Sequence, residues 1–284
     1  SSTDRTPEII AERFPQVQYH RIDRRAFPGA ARNVAIPHTR APLVMMLDAD
    51  CIAEPGLLEG MVAVHETGEY AAVGGSIGNG TPRSASGLVG YLLEFREFIP
   101  EAPRRLVHTV PTANVCYRSE VFEQYGLFAD VRASEDLLFN WNISLAGEQI
   151  VFEPSLRVTH LNKTGWLNVI RYQRVLGKNS ALARHRMNPP FEVIRAYPAL
   201  GWLMPYLIRF PWLGVSIPPV RLARALVWLV RYDFTSFVML LLLWPGYFVA
   251  ALVWALAFVR GLREVRGTPR HATSHAASPE PEKQ

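Results

Sequence analysis

Two carboxylates follow a short apolar run in the first quarter of the chain. The stretch Leu43–Leu47 is unbroken, and Asp48 and Asp50 come directly after it. A run of this kind is typical of a strand buried on both faces, as in a parallel sheet. If the chain stays extended, both carboxylates point the same way, because side chains alternate along a strand. Beyond the carboxyl end of such a strand they would meet a phosphorylated ligand and a hard divalent cation. Taken alone, the pair more often marks only a strand end and a turn.

Helices and strands alternate around this pair. The sequence predicts helices at 7–13, 30–37, 55–67, 119–125 and 136–146, an amphipathic segment at 88–98, and strands at 17–22, 43–47, 70–75, 110–117, 149–152 and 156–159. Such alternation favours one α/β domain with a mostly parallel, Rossmann-like sheet and helices on both faces.

The charge is distributed unevenly along the chain. Residues 1–156 hold 13 basic and 20 acidic side chains, whereas residues 157–270 hold 16 basic and 3 acidic ones. A basic part mixed with long apolar runs indicates contact with anionic membrane lipid. Because these basic residues alternate with Trp, Leu and Pro, we expect no nucleic acid partner. Cys51 and Cys116 lack metal-ligand spacing and are interpreted as reduced core thiols, which fits a cytosolic face.

Residues 234–259 form an apolar segment without a charged side chain. About 20 such residues are enough to cross a bilayer. The arginines at 260, 263, 266 and 270 favour a cytoplasmic C-terminus. The segment could form one tilted span, a re-entrant hairpin that folds back at 244–246, or a span paired with the apolar segment 197–217. For 197–217, which Pro and Arg interrupt, we favour a helix lying in the interface.

Five short strings, in this order, resemble the motifs of family-two glycosyltransferases. They are Ser1–Ile9, Pro28–Asn33, Leu47–Asp50, Ala113–Arg118, and Ser134–Leu137 followed by Ala146–Gly147. The resemblance covers 1–165 and implies the nucleotide-sugar-binding fold called GT-A. The implied reaction is transfer of a sugar from a nucleotide donor to an acceptor hydroxyl, with inversion at the anomeric carbon. The family begins with a strand and loop that bind the base, and we expect the chain to be truncated in this part.

A divalent cation is expected at the acid pair. Mg²⁺ or Mn²⁺, bound by one or two carboxylates and the diphosphate, neutralises charge on the leaving group. Asp50 is the predicted direct ligand, while Asp48 is expected to meet the donor ribose or to support the metal through water. The resemblance also implies a metal-site residue near His160. A hydrogen-bonded loop histidine is the alternative for that position.

Asp136 is the predicted general base. Inverting transfer needs one carboxylate near the acceptor hydroxyl to take its proton. Alone, Glu135 and Asp136 in a first helical turn would indicate only favourable interaction with the helix dipole. The resemblance assigns Asp136 as the base and implies that Glu135 orients the acceptor or a neighbouring loop.

Gly29, Arg32 and Asn33 are the other predicted donor-binding residues. Gly29 is expected to allow a tight turn at the nucleotide, and Arg32 to contact the diphosphate or the base. A surface arginine on a short helix is the alternative for Arg32.

These observations predict a membrane-bound glycosyltransferase of polysaccharide biosynthesis, with its catalytic domain on the cytoplasmic face and a lipid-linked or cell-envelope acceptor. The run Tyr172–Leu176 lacks the Gln-x-x-Arg-Trp motif of processive synthases, which weakens a long-polymer interpretation. An inactive membrane-bound relative and a nucleotidyltransferase are the alternatives. We divide the chain into a catalytic domain at 1–165, a basic helical connector at 166–196, a membrane-associated region at 197–262 and a disordered tail at 263–284.

Overall fold

A computed structural model describes residues 3–186 and 211–265. In chain order its elements are α1 (Thr6–Arg13), α2 (Pro28–Ala35), β1 (Leu43–Leu47), β2 (Cys51–Ala53), α3 (Leu57–Glu66), β3 (Tyr70–Asn79), α4 (Ala85–Phe95), β4 (Arg105–Val107), β5 (Asn114–Arg118), α5 (Glu120–Tyr125), α6 (Glu135–Leu145), β6 (Gln149–His160), α7 (Trp166–Arg186), α8 (Ile217–Tyr232) and α9 (Phe234–Val265). Short 3₁₀ helices follow α2 and α4 and precede α8.

The sheet has the strand order β1-β5-β3-β6-β2, and β4 pairs with β6. Among the described strands, only β3 and β6 pair in parallel, while the four other pairings are antiparallel. The prediction of a mostly parallel sheet is therefore wrong. The reason is that an apolar run reports burial on both faces but not strand direction. The connection from β3 to β5 contains both α4 and β4, and it returns the chain in the opposite direction.

The predicted strand at 17–22 is also wrong. These residues form no strand, and the Val17 and Tyr19 side chains are exposed. A strand needs a hydrogen-bonded neighbour, which this segment lacks within the described residues. In contrast, the two strands predicted at 149–152 and 156–159 are one strand, β6, with a register shift where it passes Gly75 and Ser76 of β3.

Two hydrophobic clusters cover the two faces of the sheet. On one face, Val73 and Ile77 of β3 pack with α3, α4, α8 and α9. On the other face, Ala72 of β3 and Tyr117 of β5 pack with α5 and α6. Helices on both faces are as predicted. The first cluster reaches Ala225 of α8 and Tyr247 of α9, so these helices share one core with the sheet.

α9 is continuous from Phe234 to Val265 and has Pro245 in its interior. The re-entrant hairpin at 244–246 is therefore wrong. Gly246 leaves room for the Trp166 ring of α7, and Gly177 of α7 lets the Trp254 carbonyl approach closely. Close packing at these two glycines thus holds the second half of α9 against α7.

Within the described residues, α9 is the one helix that is both long enough and apolar enough to cross a membrane. Most of the predicted interfacial segment 197–217 lies outside the described residues, as do most of the tail and the second part of the connector. Residues 166–186 of the connector form α7, as the prediction of a helix requires.

Candidate active site

A cavity of about 800 Å³ opens where the end of β1, the start of α6 and helices α7–α9 meet. Its lining has two chemically different parts. The acidic wall consists of Asp48, Asp50, Glu135 and Asp136. The arginine wall consists of Arg184, Arg221 and Arg224 with the rings of Trp254 and Phe258.

Arg32 connects two members of the acidic wall. Its Nη2 lies 2.6 Å from Asp48 Oδ1, and its Nη1 lies 2.6 Å from Glu135 Oε1. Charge-assisted hydrogen bonds of this length are strong and directional. The side chain of Glu135 is buried. Arg32 therefore fixes the turn after β1 to the first turn of α6, and both lie at the cavity.

Gly29 and Asn33 position this wall from behind. The Asn33 amide donates to the carbonyl of Phe128 at 2.7 Å and accepts from its backbone nitrogen at 3.0 Å. A Cβ on Gly29 would lie 2.6 Å from the carbonyl oxygen of Ala129. The expected tight turn at Gly29 is wrong, because Gly29 lies inside α2, where it permits close packing. Pro28 and Arg32 line the cavity, while Gly29 and Asn33 do not.

Asp50 and His160 come together at the edge of the acidic wall. The pairing of β2 with β6 places Cys51 opposite His160, and Asp50 Oδ1 lies 3.5 Å from His160 Nε2. The other ring nitrogen, Nδ1, is 2.9 Å from Asn162 Oδ1, which orients the ring. The three candidate ligand atoms of Asp50, Cys51 and His160 lie within 4.8 Å of one another.

This cluster fits a divalent cation through two of its members. Cys51 is a poor ligand for Mg²⁺ or Mn²⁺, because these hard cations prefer oxygen to sulfur, and burial raises the pKa of its thiol to about 12. A carboxylate oxygen and an imidazole nitrogen remain, and both are ordinary metal ligands. Asp48 bonds to Arg32 and is not part of the group.

Asp136 sits in the first turn of α6, directly after a strained residue. Ser134 has a φ of 70°, which is uncommon for a residue other than glycine and is often found at functional sites. The backbone nitrogen of Leu137 donates to Asp136 Oδ1 at 2.7 Å, and Asn140 Nδ2 donates to the Asp136 carbonyl at 2.8 Å. The first bond holds the carboxyl group at the cavity, and the second fixes the backbone of the turn.

The environment makes Asp136 a base suited to neutral pH. Burial, and then the nearby Glu135 carboxylate, raise the pKa of Asp136 to about 7. Its ordinary value is 3.8. A carboxylate with a pKa near the working pH accepts a proton more readily than an ordinary aspartate does.

Sequence reasoning missed several residues of the cavity lining. These are Glu94, Tyr172, Gln173, Arg221, Trp254 and Phe258. Burial raises the pKa of Glu94 to about 8. The position of Glu94 between Leu93 and Phe95 in an apolar stretch was a usable signal. Among the basic residues of α7, Arg184 reaches the cavity, while Arg171, Arg174 and Lys178 are exposed.

Comparisons with known proteins agree with this fold. Residues 1–126 match the family described as "Glycosyl transferase family 2". No curated protein sequence matches the chain.

Two solved structures resemble the fold of this chain. S. aureus TarS 1-349 in complex with UDP-GlcNAc is 16% identical, with a TM-score of 0.46 over 64% of this chain. This chain covers 55% of that one. The mannosyltransferase PcManGT from Pyrobaculum calidifontis, in complex with GDP-Man and Mn²⁺, is 20% identical, with a TM-score of 0.55. That match covers 93% of this chain and 76% of the other.

The matched residues contain β1, Asp48 and Asp50, and the fold is a mixed sheet between helices. The first part of the chain is therefore similar to glycosyltransferases of family 2, and the fold resembles that of the mannosyltransferase.

Proposed function

We propose that the protein transfers a sugar from a nucleoside-diphosphate sugar to an acceptor hydroxyl, with inversion at the anomeric carbon. One observation carries the proposal. A half-buried carboxylate with a raised pKa, Asp136, shares a cavity with Asp50, which pairs with His160, in a chain whose residues 1–126 match glycosyltransferases of family 2.

Asp136 is the general base of this reaction. Its carboxylate takes the acceptor proton while the acceptor oxygen bonds to the anomeric carbon and the bond to the diphosphate breaks. A single displacement of this kind inverts the anomeric configuration. Glu135, held by Arg32, is a positioning residue that keeps the turn in place, and its charge contributes to the raised pKa of Asp136.

The donor occupies the side of the cavity formed by Asp48, Arg32 and Asp50, and His160 lies beside Asp50. Asp48 is partly exposed and has a second oxygen to offer a ribose hydroxyl, while Arg32 supports it from α2. Asp50 and His160 would hold Mg²⁺ or Mn²⁺, which supplies positive charge to the leaving diphosphate. The Mn²⁺ and GDP-Man in the mannosyltransferase of similar fold support this assignment.

A membrane holds the protein through α8 and α9. The exposed apolar side chains on these helices include Val227, Phe234, Leu242 and Trp244, which are 50–70% exposed. Such side chains favour insertion into lipid. Arg260 and Arg263 at the end of α9 favour a cytoplasmic position, where nucleotide sugars are made. The acceptor is accordingly a lipid-linked or cell-envelope glycan.

A donor screen tests the proposed function. The full protein is incubated with individual nucleotide sugars and either Mg²⁺ or Mn²⁺, and release of nucleoside diphosphate is measured. We expect release from one donor class that depends on the metal. Pyrophosphate release from a nucleoside triphosphate and a sugar phosphate would instead show a nucleotidyltransferase. If no donor is turned over, the proposed function is wrong, and the protein is better described as a binding protein.

A further inference from the structure

Arg221 occupies an unusual position in the arginine wall. It lies in the second turn of α8, and its Nη2 donates to the carbonyl of Leu93 at 3.1 Å. The guanidinium stacks over the Trp254 ring at 4.5 Å from its centroid. These contacts fix the side chain between α4, α8 and α9 and place it at the cavity.

The other terminal nitrogen of Arg221, Nη1, is buried and has no hydrogen-bond partner. Within residues 3–186 and 211–265, no carboxylate lies within ion-pair distance of this guanidinium. Burial, together with the neighbouring Arg96 and Arg184, lowers the pKa of Arg221 to about 10, while Tyr247 and Glu94 oppose this shift. The group therefore remains a cation at neutral pH. A buried cation with an unused donor is costly unless an anion joins it.

The surroundings of Arg221 combine positive charge with apolar surface. Arg184 lies over the Phe258 ring at 5.6 Å and reaches the same cavity. Ile217 and Phe258 are buried apolar lining residues. Val220 lines the cavity and is also 38% exposed, so the apolar surface of α8 continues to the cavity mouth. An anion that carries an apolar chain matches both features.

We propose that Arg221 and Arg184 form a subsite for the phosphate of an amphiphilic acceptor, whose apolar chain leaves the cavity past Val220. The subsite takes a lipid-borne phosphate, and the reacting hydroxyl belongs to the sugar that this phosphate carries. The inference rests on the proposed function and names its acceptor class. It also gives α8 a role beyond membrane contact, since the helix both meets lipid and supplies the phosphate ligand.

Decyl phosphate is a suitable probe below its micellar concentration. Its binding to the full protein is measured by calorimetry, beside decanol and inorganic phosphate. We expect decyl phosphate to bind at least about tenfold more tightly than either, because both the charge and the chain contribute. Equal binding of inorganic phosphate would overturn the lipid part of the proposal, and equal binding of decanol would overturn the anion part.

Arg221→Gln tests the subsite directly. We expect this substitution to weaken the binding of decyl phosphate by about tenfold or more, since it removes the charged partner of a buried anion. Arg231→Gln is the matched control, because Arg231 is an exposed arginine on the same helix. Unchanged affinity in Arg221→Gln would contradict the proposal. Arg184→Gln gives a second variant should Arg221→Gln unfold, and thermal unfolding identifies that case.

Binding of a nucleoside diphosphate with Mn²⁺ separates this subsite from the donor site. We expect Arg221→Gln to leave that binding unchanged. A parallel loss of diphosphate binding would assign Arg221 to the donor and overturn the proposal. If decyl phosphate binds as expected while no nucleotide sugar is turned over, the proposed function fails and the anion subsite stands.

Discussion

The acidic wall and the arginine wall are built by different means. Turns at strand ends and the start of α6 supply the acids. Arg32 connects Asp48 to Glu135, and each of its two ion pairs has an N–O distance of 2.6 Å. Long helices from the later part of the chain supply the arginines, which stack on aromatic rings. The family match at 1–126 includes Asp48 and Asp50, but it ends before Glu135, Asp136 and the arginine wall. In the proposed function the acidic wall carries the reaction, whereas the arginine wall holds the acceptor.

Loss of Asp50 is expected to have the largest effect. In Asp50→Ala, transfer should be abolished and metal-dependent binding of nucleoside diphosphate should weaken by more than about tenfold, because a carboxylate ligand is lost. Calorimetry with and without Mn²⁺ measures this. Glu54→Ala removes an exposed acid just after β2 and serves as the control. Undiminished metal-dependent binding in Asp50→Ala would remove Asp50 from the site.

Asp136→Asn separates chemistry from donor binding. We expect kcat to fall by roughly 10²–10⁴, the usual contribution of a positioned acid or base, while donor affinity stays near that of the wild type. Asp130→Asn changes an exposed aspartate of the same loop and should have no such effect. A collapse of donor affinity would make Asp136 a binding or structural residue.

The apolar side of α9 can be tested without reference to catalysis. Leu242 is 70% exposed, and Leu242→Asp should weaken binding to vesicles containing anionic lipid by about tenfold, since burial of such a side chain contributes about 1.5–3 kcal/mol. Leu145→Asp alters an exposed leucine of α6 and is the control. Equal sedimentation of both variants with vesicles would argue against α9 as the lipid contact.

Packing behind the acidic wall gives the smallest effect. Gly29→Ala should reduce the free energy of unfolding by roughly 1–3 kcal/mol, because the new Cβ meets the Ala129 carbonyl. Gly90→Ala is the matched change in α4, where the nearest atom to a Cβ would be at 3.7 Å. Chemical denaturation compares the two. Equal stability of both variants would show that the segment after Phe128 relaxes freely.

The sequence predicted the acidic wall better than the fold around it. The predictions of the strand at 43–47 and of the first turn of α6 were correct, because a short apolar run and an acid pair at a helix start are local signals. The three-residue strands β2 and β4 are too short to leave a pattern. Strand direction and the partner of Arg32 depend on contacts far apart in the chain, since Glu135 is 103 positions away. The role of Arg221 could not be predicted from the sequence, because its unpaired nitrogen arises from packing among three helices.

The pH dependence of kcat tests the role of Asp136 most directly. The base acts only when it is deprotonated, and its pKa is raised to about 7. Transfer or donor hydrolysis by the wild type, measured from about pH 5 to 9, should therefore rise as the pH increases through 7 and be lost below it. Asp136→Asn should lack this rise at its lower rate. A wild-type profile that stays flat down to pH 5 would mean that Asp136 titrates like an ordinary aspartate, and it would contradict the account.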